Sequence, residues 1–216
     1  MKQSFHFFAE HALHSALVSD TYQTSYVHIP VNASTWGKTM FAQAGFKQNL
    51  PGQLDPNHRL VIFLRDPIDR WLSGLATWLT YRLPQHTGLQ RIRHNTAVLD
   101  ILFDSIRQDD HTERQQFFIQ GLDLDHADFW WVTPELSQHM ASYFLELGVD
   151  TSKFPISNAS DSESGKAIPK TYFRAVMESN LKYLQRVKDF FAGDRDLIRQ
   201  IAFKNCQTPV MSYYDY

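Results

Sequence analysis

The sequence predicts an α/β fold: a P-loop-like parallel sheet flanked by helices, with a mostly helical C-terminal half. Three observations carry this. Residues 22–29 and 60–65 each read as a strand, and each runs directly into a helix start, the order that builds parallel strand-helix-strand units. Asp128 to Thr133 supplies another apolar strand. Beyond it, apolar residues recur at helical spacing over 170–192.

Taken in chain order, Phe5 to Leu17 carries Glu10 and three histidines among its apolar residues and has no signal-peptide core, so it reads as an amphipathic helix. The strand at 22–29 ends in Pro30. The small residues Asn32, Ala33 and Ser34 follow, and then a helix start. At the end of the 60–65 strand, Asp66 is a favourable N-cap and Pro67 a favourable first helical residue. Residues 95–107 and 112–120 read as helices. Thr133 caps a helix expected from Pro134 towards Gly148. Ser157 to Gly165 is polar, Ser-rich and loop-forming. The last long helix is 170–192, with Leu181, Leu184, Val187, Phe190 and Phe191 at core spacing.

With 216 residues, 43% of them hydrophobic, the chain has enough apolar material for one substantial core and is read as a single domain, 1–216. The net charge of −2 gives no reason to expect nucleic acid or an anionic membrane as partner. Charge is nevertheless uneven. Residues 21–95 hold eight Lys and Arg against three acids, a balance of +5, so the remainder carries −7. Cys206 is the one cysteine, which rules out an intrachain disulfide and a cysteine-rich zinc site; its apolar neighbours mark it as a packed thiol. No run approaches the ~20 apolar residues of a membrane span. The expected location is cytoplasmic.

The chemistry concentrates in two places. Residues 31–36 lie between a strand and a helix N-terminus, where unpaired N–H groups and the helix dipole favour an anion, and where the Ser34 and Thr35 hydroxyls add donors. Arg65, closing the second strand, and Ser73, about two turns into the helix, are placed to share a phosphate.

These segments resemble the phosphosulfate loop and the 3′-phosphate element of sulfotransferases that use 3′-phosphoadenosine 5′-phosphosulfate (PAPS). The resemblance rests on Pro30-Val31-Asn32-Ala33-Ser34-Thr35-Trp36 and on Arg65-Asp66-Pro67 with Arg70 and Ser73, and it covers residues 25 to 75. It implies that Val31, Asn32, Ala33, Ser34, Thr35 and Trp36 bind the donor's 5′ end, and that Arg65 and Ser73 bind its 3′-phosphate. The implied acceptor is a hydroxyl on a glycan or a small metabolite. The family's lysine after the proline is Val31 here, so Lys38 is the candidate to stabilise the leaving group.

A general base must take the acceptor's proton, and His suits by its near-neutral pKa. His111, within Asp109-Asp110-His111-Thr112-Glu113-Arg114-Gln115, resembles the acceptor-side histidine segment of carbohydrate sulfotransferases; Glu113 is the reserve. The histidines are too scattered to propose a metal site, and none is expected.

Two other functions fit the same residues. Asn32 to Thr39 is a Walker A pattern with its first glycine replaced, which makes a small-molecule kinase or ATPase with Lys38 on phosphates and Thr39 and Asp66 on magnesium. Val31 at the lysine position allows a catalytically inactive nucleotide-binding relative.

Overall fold

The structure, a computed structural model, describes residues 15–49, 54–82, 92, 96–152, 154 and 166–213. Five strands form one sheet among these residues: β1 Ala16–Ser19, β2 Thr24–Val27, β3 Lys47–Gln48, β4 Arg59–Leu64 and β5 Ala127–Trp131, in the order β3-β1-β2-β4-β5. The helices are α1 Ser34–Gln43, α2 Pro67–Arg82, α3 Thr96–Ser105, α4 Gln115–Ile119, α5 Leu136–Glu146, α6 Ala167–Ser179, α7 Leu181–Phe190 and α8 Ala192–Gln200. The α/β class and the helical C-terminal half are as expected.

The sheet is mixed rather than all parallel. β2, β4 and β5 run parallel, with Val27 opposite Ile62 and Leu64 opposite Trp131. β1 is antiparallel to both β2 and β3. Ala16 and Leu17, read from sequence as the end of a helix, are therefore strand residues; the rest of that predicted helix, 5–14, lies outside the described residues. The reason is tertiary. The turn at 20–23, with Gln23 at φ 46°, folds the 16–19 segment back onto β2, where the sheet supplies its hydrogen bonds.

Alternation along β4 sends its side chains to two different cores. Val61 and Phe63 join Tyr26, Trp130, α1 and α5 on one face. Leu60, Ile62 and Leu64 join Val27, Phe129, Trp131 and the residues Phe118, Ile119 and Ile198 of α4 and α8 on the other. Each large apolar side chain so buried contributes about 1.5–3 kcal/mol. α1 sits close to β2 because Gly37 faces it: a β-carbon there would lie 2.3 Å from the Tyr26 hydroxyl.

A third core is mostly helical, built chiefly by Trp71, Leu72 and Leu75 of α2, Phe103 of α3, Phe173 and Met177 of α6, and Tyr183 and Val187 of α7. The predicted 170–192 helix is broken at Asn180. This residue is extended (φ −132°, ψ 97°), and its side chain accepts the Lys182 N–H, capping α7. The break rotates the apolar pattern, leaving Leu181 at 78% exposed while Val187 and Phe191 are buried as expected. α8 extends the helical region past the predicted end. The predicted 112–120 helix is confined to α4. The one expected from Pro134 starts at Leu136, with Thr133 Oγ1 accepting the Glu135 N–H at 3.2 Å. The predicted 157–165 loop lies outside the described residues.

Beyond α8, residues 203–205 run along β5. Phe203 bridges to Phe129 in parallel, and the Asn205 side chain pairs with both the N–H and the C=O of Trp131 at 2.8 Å. Cys206 is partly buried against the core on this face, and burial pushes its thiol pKa up. Among the described residues no helix is long and apolar enough to cross a membrane.

Candidate anion-binding site

Because β2, β4 and β5 are parallel, their C-terminal ends share one edge of the sheet, the usual ligand edge of such folds. Here the edge carries the 30–33 loop and Arg65 with Asp66. The two segments that sequence analysis marked for phosphate are in contact: Arg65 Nη1 donates to the Val31 carbonyl at 3.4 Å.

The loop is held by its backbone and by Asn32. The Asn32 N–H closes a turn on the Ile29 carbonyl, and its fully buried side chain donates to Phe63 O at 2.8 Å and Gln115 Oε1 at 2.6 Å. Val31 (φ 69°) and Ala33 (φ 55°) occupy the left-handed region, a costly conformation for residues with a β-carbon and most of all for branched Val31. α1 then begins at Ser34 with no side-chain cap, and its first intrahelical bond runs from Gly37 N to Ala33 O. The Ser34 and Thr35 amides thus lie at the positive end of the helix without carbonyl partners. The Trp36 ring belongs to the core, its centroid 6.2 Å from that of Phe63, so that ring is taken up by packing.

Arg65 is locked at its backbone. Its N–H donates to Gln115 Oε1 at 2.9 Å, and its carbonyl accepts from Gln115 Nε2 at 2.8 Å. Its guanidinium pairs with Asp69, one turn into α2. Asp69 also receives Lys170 at 3.0 Å and Arg174 at 2.7 Å, both from α6. Burial alone would raise the Asp69 pKa, but Arg65 and Lys170 outweigh it and hold the carboxyl below its ordinary value. Ser73 is one turn further along the same face of α2, and its Oγ is buried without a hydrogen-bond partner.

Arg70 organises the site from beneath. It is fully buried and donates to the carbonyls of Pro30 (3.0 Å), Asp110 (3.3 Å) and Glu113, joining the loop, α2 and the 109–113 segment. Burial pushes its pKa down to about 10, so it stays charged at neutral pH. Asp194, on α8, accepts the N–H groups of Gln115 (2.8 Å) and Gln116 (2.9 Å), acting as the cap that α4 lacks locally.

The 109–113 segment lies against α2. A β-carbon on Gly74 would stand 2.0 Å from the His111 carbonyl oxygen. His111 Nδ1 contacts Asp109 at 3.2 Å and Asp110 at 3.0 Å. Burial would lower the imidazole's pKa, but hydrogen bonds to the two carboxylates outweigh it and push it up to about 9. At neutral pH His111 is therefore a cation, with no free lone pair at Nδ1 to take a proton. The ligand atoms of Asp109, Asp110 and His111 lie within 4.8 Å of one another, a grouping that sequence analysis did not propose; Nδ1 is already committed to both carboxylates. Glu113, the reserve base, is buried and paired with Arg107 at 2.7 Å. His28, behind the loop, is held neutral with a pKa of about 4, by burial first and by the nearby Lys38 charge second. Lys38 is exposed on the second turn of α1.

The Walker A residues lie on α1 and at the start of α2. Lys38 and Thr39 sit more than a turn inside α1, and the Thr39 hydroxyl donates to Thr35 O at 3.0 Å. Asp66 instead caps α2, accepting the Asp69 N–H at 2.6 Å on one oxygen and the Ser212 N–H on the other, and burial raises its pKa to about 6. A cleft of about 460 Å³ between β5, α5 and the C-terminal segment, lined by Arg59, Asp128, Trp130 and His139 among others, includes none of the predicted site residues.

Sequence reasoning did not single out Asp69, Gln115, Lys170, Arg174 or Asp194. The four-residue spacings of Arg65 to Asp69, from the strand end into α2, and of Lys170 to Arg174, along one face of α6, were readable local signals. What those residues meet was not readable. No protein-family model, curated protein or solved structure matches the chain.

Proposed function

We propose that this protein is a sulfotransferase that moves a sulfuryl group from PAPS to an acceptor hydroxyl on a glycan or small metabolite. The observation that carries the reading is the contact between its two phosphate elements: Arg65 reaches the Val31 carbonyl, beside an uncapped helix N-terminus, at the C-terminal edge of parallel strands. A nucleotide with phosphate at both its 3′ and 5′ positions needs two anion sites this close together. The buried, unpartnered Ser73 hydroxyl adds support, since a bound phosphate would supply the acceptor it lacks.

On this reading the Ser34 and Thr35 amides and hydroxyls bind the 5′-phosphosulfate, and Val31, Asn32 and Ala33 shape the loop around it. Trp36 anchors the loop to the core. Arg65 and Ser73 bind the 3′-phosphate. Lys38 offsets charge on the departing bisphosphate in place of the lysine that Val31 replaces. His111 activates the acceptor after surrendering the proton that Asp109 and Asp110 hold on it.

The test is calorimetric titration with 3′-phosphoadenosine 5′-phosphate beside magnesium-ATP. Bisphosphate binding that Arg65→Ala weakens by about 1.5–3 kcal/mol, the worth of a charged hydrogen bond, is expected. Preference for magnesium-ATP would sink the reading. Bisphosphate binding without turnover on any acceptor would point to the inactive relative.

A further inference from the structure

The cleft of about 460 Å³ beside β5 lies towards the other end of the sheet from the 30–33 loop. Arg59 opens β4 and Asp128 is the second residue of β5, so the length of β4, about 16 Å, separates this cleft from the strand ends that carry Arg65. Asp128 is the most deeply set of its charged residues. It is 4% exposed, and it takes Arg59 Nε at 3.2 Å on one oxygen and Lys204 Nζ at 3.0 Å on the other. Both cations are about half exposed, and a guanidinium has five N–H groups and an ammonium three, so each keeps donors beyond the one spent on Asp128.

Trp130 stands on the same face of β5 as Asp128. Across the cleft, His139 and Glu146 of α5 are seven residues apart, two turns on one helix face. Trp130 is 7% exposed, and its indole N–H and the Nδ1 of His139 are buried with no hydrogen-bond partner. Polar groups in such a position are nearly always paired, and leaving them unpaired is costly. Two of them on residues that line one cleft call for a partner that enters through it. The charged residues of the lining are Arg59 and Lys204 against Asp128 and Glu146, which sum to zero. A lining without net charge selects neither anion nor cation, yet it offers donors on Trp130, Arg59 and Lys204 and an exposed acceptor on Glu146. Hydroxyl groups, which donate and accept at once, match that mixture, and the volume lies in the range of small-molecule sites.

We propose that this cleft is a second binding site, that its ligand is a small uncharged sugar, and that the Trp130 indole N–H donates to one of the sugar oxygens. Arg59 and Lys204 donate to others, and Glu146 accepts from a hydroxyl. The His139 ring is held by no hydrogen bond among the described residues, so it turns to admit the ligand. The site shares no residue with the PAPS reading and does not rest on it.

NMR of the full chain resolves the N–H groups of its five indoles. Trp130→Phe identifies the Trp130 resonance by its loss, or sequential assignment does so where that variant fails to fold. Titration with glucose, galactose and N-acetylglucosamine, each at low and high salt, then reads the site. At least one sugar should move the Trp130 resonance saturably with a Kd of about 1 mM, and added salt should leave that Kd unchanged because no net charge is bound. Glu146→Ala, an exposed substitution, should weaken the same sugar about tenfold. Absence of a saturable shift with all three sugars would overturn the proposal. A shift that Glu146→Ala leaves untouched would also overturn it, since the sugar would then sit elsewhere. A response to acetate or inorganic phosphate in place of the sugars, lost at high salt, would make the cleft an anion site and overturn the assignment of the ligand.

Discussion

Gln115 pairs with Arg65 as one strand residue pairs with another: its Nε2 donates to the Arg65 carbonyl at 2.8 Å and its Oε1 accepts the Arg65 N–H at 2.9 Å. The same Oε1 receives Asn32 Nδ2, and the Gln115 N–H is itself fixed by Asp194. A single amide side chain thus registers the 30–33 loop against the end of β4, and α8 registers that side chain.

Gln115→Leu, close in volume, should therefore be costly. It leaves the Arg65 backbone groups and the Asn32 amide short of partners in a buried site, a loss of about 2–4 kcal/mol in urea unfolding. Bisphosphate affinity should fall with it. A variant within about 0.5 kcal/mol of the original would mean that water or a relaxed loop replaces the amide.

Gly74→Ala sets two effects against each other. Alanine gains about 1 kcal/mol of helix propensity over glycine in a helix interior. Its β-carbon would meet the His111 carbonyl at 2.0 Å, so the 109–113 segment or α2 must shift, at about 1–3 kcal/mol or more. Backbone yields less readily than a side chain, so the collision should win and the variant should melt lower. NMR titration should also find the His111 pKa moved back towards its ordinary value as the carboxylate contacts loosen. A more stable variant would show that the segment is not held against α2.

Ala33→Gly should stabilise the protein. Leaving the left-handed region to glycine relieves about 1–2 kcal/mol, and the extra freedom of the unfolded chain returns about 0.4–1 kcal/mol of that. The expected net gain is about 0.5–1 kcal/mol by chemical denaturation, with Gly also an acceptable N-cap. A loss of stability would place the cost of this loop elsewhere.

His111 gives the protein a pH signature. Its folded pKa, about 9, lies above the ordinary 6.5, so the stability it contributes is fully present below pH 6.5 and is lost as pH rises through about 9. Discounted for a side chain 32% exposed, the contribution is about 1–2 kcal/mol. His111→Gln should cost that much at pH 6 and almost nothing at pH 10. If His111 is the acceptor's base, the transfer rate should climb as the imidazole deprotonates towards pH 9. A rate already flat from pH 6 would assign the base elsewhere.

Elements with strong local signals were legible in the sequence. Asp66-Pro67 starts a helix because its side chain caps and its ring pre-sets φ, and the Asp66 to Asp69 bond is there. Phe129, Trp130 and Trp131 lie buried in β5 as their apolar run implied. Weak signals failed where context decided. Ala16 and Leu17 suit helix or strand alike, and Asn180 breaks a helix whose apolar spacing runs on through it. Among the candidate-site residues, Arg65 and Ser73 could be proposed from the sequence because their spacing along one strand and helix is a local property. Lys170 and Arg174 were visible as a basic pair, but without a destination.

The sequence by itself determined the order of strands and helices that brings a loop, an arginine and a helix start to one edge of a sheet, because turn chemistry and apolar periodicity act over a few residues. It also determined the excess of positive charge in that part of the chain. Only the tertiary structure decided that Asp69 would collect cations from α6 more than a hundred residues away, that Gln115 would lock Arg65, and that two carboxylates would hold the proton on His111. Those outcomes depend on desolvation and on distances of a few ångströms between distant segments, and such quantities do not exist until the chain has folded.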